Sequence, residues 1–175
     1  KLFTSYVNKP IKHTQLSEIL LKVLSPSILE PVIPKKSKEE LGEISKKYPF
    51  HILAAEDNII NQKLIRNVFE LLGYKLDIAA NGLEALNSFK RKNYDLIFMD
   101  IQMPEMNGYE ATSIIVQRRK EERPIIIAMT ANAMRGDREK CIEAGMDDYI
   151  TKPMRVDDLI KVIEFWGLKK FSAGN

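Results

Sequence analysis

Four short stretches of this chain of 175 residues end in side chains suited to phosphorus or metal chemistry. Glu56-Asp57, Asp100, Thr130 and Lys152-Pro153 each follow a short apolar run. Three carboxylates brought to one place repel one another and need a cation between them. Oxygen ligands of this kind suit a hard, octahedral, partly hydrated ion such as Mg²⁺, with Mn²⁺ the alternative. The two histidines, His13 and His51, do not stand at the end of any of these runs, which argues against Zn²⁺. Two kinds of chemistry are open to such a set: holding a divalent ion for structure alone, or transferring a phosphoryl group to a carboxylate. The second gives every residue a role. Asp100 is the nucleophile. Asp57 holds the ion directly and Glu56 holds it through water. Lys152 sets a point charge against the phosphoryl oxygens, and the Thr130 hydroxyl donates a hydrogen bond to one of them.

The elements that must position these residues are legible in the hydrophobic period. Ile52–Ala55, Leu96–Met99 and Ile125–Met129 are continuous apolar runs, expected of strands buried on both faces, and Leu76–Ala80 and Tyr149-Ile150 are shorter strands. Between them lie helical patterns: Ile59–Leu72 closing at Gly73, a helix opening at Leu83 after Asn81-Gly82, Tyr109–Gln117, Arg135–Ala144 closing at Gly145, and Val156–Trp166 closing at Gly167. Five strand–helix units in alternation imply a parallel sheet with helices on both faces. In such a sheet the chemistry gathers beyond the carboxyl ends of the strands, where all four stretches fall.

Residues 6–16 repeat the end of this pattern. Tyr6-Val7-Asn8-Lys9-Pro10 and Leu16 match Tyr149-Ile150-Thr151-Lys152-Pro153 and Leu159. Residues 1–24 therefore read as the last strand and helix of a preceding copy. Residues 25–47, with Pro26, Pro31, Pro34 and a run of lysines and glutamates, read as a linker carrying a short helix over Glu39–Lys47. The main domain is expected over 48–171, with 172–175 a tail. Residues 1–47 hold 9 Lys/Arg against 5 Asp/Glu and the remainder 18 against 19, so the basic surplus lies outside the domain. That leaves no electrostatic footprint for nucleic acid. Arg118-Arg119-Lys120 is followed at once by Glu121-Glu122 and reads as a solvated loop. No apolar run is long enough to span a bilayer, so no direct membrane contact is expected of these residues. The single Cys141 fits a reducing compartment and a buried structural thiol. A start at Lys1 rather than Met leads to the expectation of a segment excised from a longer chain.

The motifs resemble the signature of two-component receiver domains. The resemblance rests on Glu56-Asp57-Asn58 with Asn61-Gln62, Met99-Asp100 through Met103-Pro104 to Gly108, Met129-Thr130-Ala131, and Tyr149 through Lys152-Pro153. With Lys47-Tyr48-Pro49 ahead of the first strand, it is similar to receivers at the C-terminal end of hybrid sensor histidine kinases. The resemblance implies a flavodoxin-like (βα)5 fold with strand order 2-1-3-4-5. It implies Asp100 as phosphoacceptor, with Mg²⁺ on Asp57, Asp100 and the backbone carbonyl of Gln102, and Glu56 standing where many members have Asp. It implies Thr130 and Tyr149 as a coupled switch that re-forms the surface of the last two helices and last strand. Lys152-Pro153 suggests a cis peptide that aims the lysine. The phosphoryl donor would be a histidine phosphotransfer domain or a kinase core, docking on Ile59, Ile60, Lys63, Pro153 and Met154. Gln102 and Asn132 would flank the path of attacking water. The segment would catalyse its own aspartyl phosphorylation and dephosphorylation within a hybrid kinase, on the cytoplasmic side of a parent that is membrane-anchored.

Plainer readings stand beside these. Thr130 alone would be a helix cap, and Tyr149 a fixed core aromatic. Asp147-Asp148 and Asp157-Asp158 suit turns and caps, and Met99, Met103 and Met106 suit the core and a loop. A phosphatase with an aspartate nucleophile would carry a second acid two residues on; Gln102 stands there instead. A vestigial pocket on a phosphate-independent interaction module remains the other function class.

Overall fold

The computed structural model describes residues 38–118, 123–131 and 135–171. Residues 1–24, most of the linker, Arg119 to Glu122, Asn132 and the tail lie outside these, so the expectations placed on them are not addressed by the structure.

Five strands form one parallel sheet: β1 (Ile52–Ala55), β2 (Leu76–Ala79), β3 (Leu96–Asp100), β4 (Ile125–Thr130) and β5 (Asp148–Thr151), in the order β2-β1-β3-β4-β5. The helices that follow them are α3 (Ile59–Leu71), α4 (Gly82–Arg91), α5 (Gly108–Arg118), α6 (Arg135–Glu143) and α7 (Val156–Phe171), preceded by two short helices, α1 (Lys38–Gly42) and α2 (Ile44–Lys47). The expected order and layering are those found. β1 and β3 are buried along their whole length, whereas the edge strands β2 and β5 are only partly so, as their mixed sequences require.

Alternation along the strands divides the core in two. Ile52, Ala54, Leu96, Phe98, Ile127, Met129 and Ile150 face α3 and α7, meeting Ile65, Val68, Phe69, Leu159 and Ile163. Leu53, Ala55, Ile97, Met99, Ile126 and Ala128 face the other way, onto Ala85, Leu86 and Phe89 of α4, Ala111 and Ile115 of α5 and Cys141 of α6. Cys141 is thus the buried thiol expected. Helix starts are fixed locally. Asn58 caps α3 by accepting from the N–H groups of Ile60 and Asn61. Asn81 accepts from Glu84 N–H at 2.8 Å while the Glu84 carboxylate takes the Ala80 N–H at 2.8 Å, a reciprocal cap.

Two expectations need correction. α7 does not stop at Gly167 but runs on to Phe171. The glycine is there for space: a Cβ would sit 2.3 Å from the Tyr48 ring. Beyond it Phe171 stacks obliquely on Phe50 at 5.1 Å, and Lys170 pairs with Asp95, so tertiary contacts continue the helix past a residue of low propensity. The residues read as linker are also not all linker. Leu41 is fully buried and Ile44 nearly so, in the core cluster of α3 and α7. Ser45 N–H donates to the Leu72 carbonyl, and the Tyr74 hydroxyl donates to the Tyr48 carbonyl at 2.6 Å. Packing therefore begins several residues before Tyr48.

Candidate functional site

The carboxyl edge of the sheet opens into a cleft of about 610 Å³. The end of each contributing strand delivers one group. Glu56 follows β1, with its N–H tied to the Ala79 carbonyl of β2. Asp100 and Thr130 are the last residues of β3 and β4, and Lys152 follows β5, its N–H bonded to the Thr130 carbonyl at 2.7 Å. Glu56, Asp57 and Asp100 offer oxygens that all lie within 4.8 Å of one another. Two of these acids are buried, Glu56 at 1% and Asp100 at 5% exposure, while Asp57 is exposed to solvent.

Buried carboxylates need partners, and one lysine serves both. Lys152 Nζ lies 2.6 Å from Glu56 Oε2 and 2.7 Å from Asp100 Oδ2. The other Glu56 oxygen accepts from Asn61 Nδ2 at 2.7 Å, and Gln62 Nε2 donates to the Glu56 backbone carbonyl at 2.7 Å. Asp100 Oδ1 accepts the Gln102 N–H at 3.2 Å. Burial raises the Asp100 pKa above the usual carboxylate range, with Lys152 pulling it back and Glu56 adding to the rise. For Lys152, burial pulls the pKa down, but the bonds to Asp100 and Glu56 outweigh it and the net shift is upward. The ammonium therefore stays charged, between two acids that a hard cation would relieve. The donor set is all oxygen, clustered and open to water through Asp57, which fits an ion of the Mg²⁺ kind.

The loop after β3 presses close to this centre. A Cβ on Gly108 would fall 2.1 Å from the Asp100 carbonyl oxygen, so only glycine allows α5 to start there. Asn107 and Glu110 cap that helix by exchanging bonds with each other's N–H groups.

The remaining site candidates lie as follows. Thr130 is buried and lines the cleft. Tyr149 is half-buried against the core on the α4–α5 side and is not among the described residues lining the cleft. The Lys152–Pro153 peptide is cis. Ile59 and Ile60 are each 65% exposed at the start of α3. Lys63 and Pro153 are exposed too, while Met154 is half-buried against the core. His51 stands at the opposite end of β1, beside Asp95. Asp147 is a structural acid: it takes Arg123 through both oxygens at 2.6 and 2.7 Å and the Ile126 N–H at 2.8 Å. Sequence reasoning gave no role to Asn61 and Gln62, which hold Glu56, although it quoted both within a motif. It missed Tyr109 and Lys140 as lining residues, and no local pattern marks either.

A five-stranded parallel sheet of this order, with clustered acids, a threonine and a lysine at its carboxyl edge, defines the receiver class. The family described as response regulator receiver domain matches residues 52–164, and the chain belongs to it, as a receiver domain of two-component phosphorelay systems. Among solved structures, the receiver domain of sensor histidine kinase PA1611 from Pseudomonas aeruginosa, which has magnesium coordinated in its active-site cleft, is 42% identical. The match covers 67% of this chain and 97% of that one, with a TM-score of 0.63. The receiver of the response regulator Ssk1 from Saccharomyces cerevisiae, crystallised with the histidine phosphotransfer protein Ypd1, is 35% identical over 67% of this chain and 88% of that chain, with a TM-score of 0.64. Histidine protein kinase 1 of Candida albicans is 37% identical over 89% of this chain, which spans only 6% of that kinase. The sensor histidine kinase GacS of Pseudomonas protegens is 33% identical over 94% of this chain, which spans 18% of it. Among the described residues no helix is long and apolar enough to cross a membrane.

Proposed function

We propose that this receiver accepts a phosphoryl group from a phosphohistidine onto Asp100. The observation that carries the reading is the Lys152 ammonium held between Asp100 and buried Glu56 beside Asp57. Asp57, Asp100 and the Gln102 carbonyl would hold Mg²⁺ (or Mn²⁺), with Glu56 linked through water. The bound ion would supply neutralising charge at the transferring oxygens.

In the transfer, an Asp100 carboxylate oxygen attacks phosphorus. The P–O bond forms as the P–N bond to the donor imidazole breaks, and that nitrogen keeps the electron pair and later gains a proton. Lys152 holds the Asp100 carboxylate in place and faces the developing charge, and Thr130 donates to a phosphoryl oxygen. Thr130 moving towards the phosphoryl group frees space for Tyr149 to turn inward, which remodels the surface of α6, β5 and α7. Hydrolysis of the acyl phosphate resets the domain.

The donor is a histidine phosphotransfer domain or a kinase core docking on Ile59, Ile60, Lys63, Pro153 and Met154. Exposed isoleucines beside the cleft support that surface. The parent is a hybrid histidine kinase acting in the cytoplasm, and residues 1–24 are the end of a preceding receiver-like copy. The test is intact-mass spectrometry after incubation with acetyl phosphate. A single phosphoryl adduct that requires Mg²⁺ and is absent in Asp100→Asn is expected. A folded native chain that takes no adduct would move the assignment to a phosphate-independent interaction module.

A further inference from the structure

A second cation lines the cleft. Lys140 of α6 lines it together with Thr130 and Ala131, whereas Lys152 is already occupied by Glu56 and Asp100. Lys140 is exposed, and among the described residues its ammonium has no ion pair or hydrogen bond. The helix that carries it is lightly held. Over residues 138–143 Cys141 is the one buried side chain, and Ile142 is 56% exposed. A new ionic contact on such a helix weighs more than on one packed like α3 or α7.

Charge balance gives Lys140 a partner, on the reading that Asp100 is the phosphoacceptor. Phosphorylation replaces the single charge of the Asp100 carboxylate by about two on the phosphoryl oxygens. Glu56 and Asp57 add one each. A divalent ion and Lys152 offset three of those four charges. Among the described side chains lining the cleft, Lys140 is the other cation, and it has a flexible four-carbon reach. We infer that Lys140 pairs with the phosphoryl group on Asp100 and thereby ties α6 to the phosphorylated state. It acts as a positioning residue for the output surface, not as a participant in the transfer.

The experiment uses beryllofluoride, a tetrahedral phosphoryl mimic, with Mg²⁺ and the full chain. Binding is followed by fluorine NMR and α6 mobility by amide hydrogen exchange, in the native chain and in Lys140→Met, Lys140→Arg and the distant control Lys75→Met. Lys140→Met should bind the mimic roughly three- to fivefold more weakly, the range of a solvent-open ion pair, with Lys140→Arg near native and Lys75→Met unchanged. Beryllofluoride should slow exchange in α6 of the native chain and not in Lys140→Met. Because Lys140 is exposed, both variants should melt as the native chain does. Equal binding and equal protection in Lys140→Met would overturn the inference alone. An equal loss in Lys75→Met would also overturn it, by showing a diffuse charge effect. A native chain that does not bind beryllofluoride would overturn both the inference and the phosphoacceptor reading.

Discussion

Leu41→Ala asks whether the residues ahead of Tyr48 belong to the folded body. Leu41 is fully buried in the cluster that contains Ile44, Tyr48 and Leu72. Truncating a leucine in such a place costs about 2–5 kcal/mol, through lost transfer energy and the cavity left behind. The loss has a ceiling, since α1 and α2 have only 5 and 4 residues and can detach together without unfolding the sheet. Ile44 and Tyr48, at 6% and 3% exposure, and the Tyr74–Tyr48 hydrogen bond resist that detachment. The expected loss is therefore at the lower end, about 2–3 kcal/mol, or roughly 6–15 °C in Tm for a domain of this size. Urea unfolding followed by Trp166 fluorescence reads it directly, since Trp166 packs against the same cluster. Lys46→Ala, which removes only an exposed pair with Glu43, should change stability by less than about 0.5 kcal/mol. A Leu41→Ala midpoint matching that control would refute the reasoning and return the segment to a linker.

Other perturbations probe the site and its supports. Lys152→Ala leaves Glu56 and Asp100 buried without a cation and should cost about 3 kcal/mol in metal-free buffer, largely recovered with Mg²⁺; an unchanged melt in EDTA would sink this account. Asn81→Ala removes the cap on Glu84 N–H and should lower stability by about 1 kcal/mol in chemical denaturation, with no effect meaning water replaces it freely. The Lys92 hydrogen bond, then that of Tyr94, holds the Asp77 carboxyl below its ordinary value of 3.8. Its stabilisation is therefore present above that value and lost as the pH falls through the lower folded value. Asp77→Asn should flatten the acid side of the stability profile there by a small, solvent-screened amount, and parallel curves would count against the pairing. Tyr149→Ala should leave phosphorylation of Asp100 intact and change affinity for a partner on the α6–β5–α7 surface; unchanged affinity in a pull-down titration would argue that Tyr149 is a fixed core aromatic.

Much of this architecture was legible in the residues. The buried runs at Ile52–Ala55, Leu96–Met99 and Ile125–Met129 and the helical period between them are local signals, because strands and helices repeat over two and about four residues. Glu56, Asp57, Asp100, Thr130 and Lys152 were legible for the same reason, since each follows such a run. Asn61 and Gln62 were visible as a motif but not as the groups that hold Glu56.

What only the tertiary structure decided are the contacts between distant residues. Gly167 reads as a stop on propensity, yet the Tyr48 ring lies where its Cβ would be and the helix continues. Leu41 and Ile44 are too few to announce a core segment; they are buried because they pack into the cluster formed with residues of α3 and α7. Lys152 reaches Glu56 across 96 residues of chain, and Lys140 joins the cleft wall from a helix whose own pattern points nowhere. Local periodicity constrains which way a side chain faces, but the group it meets is set by how the five units stack.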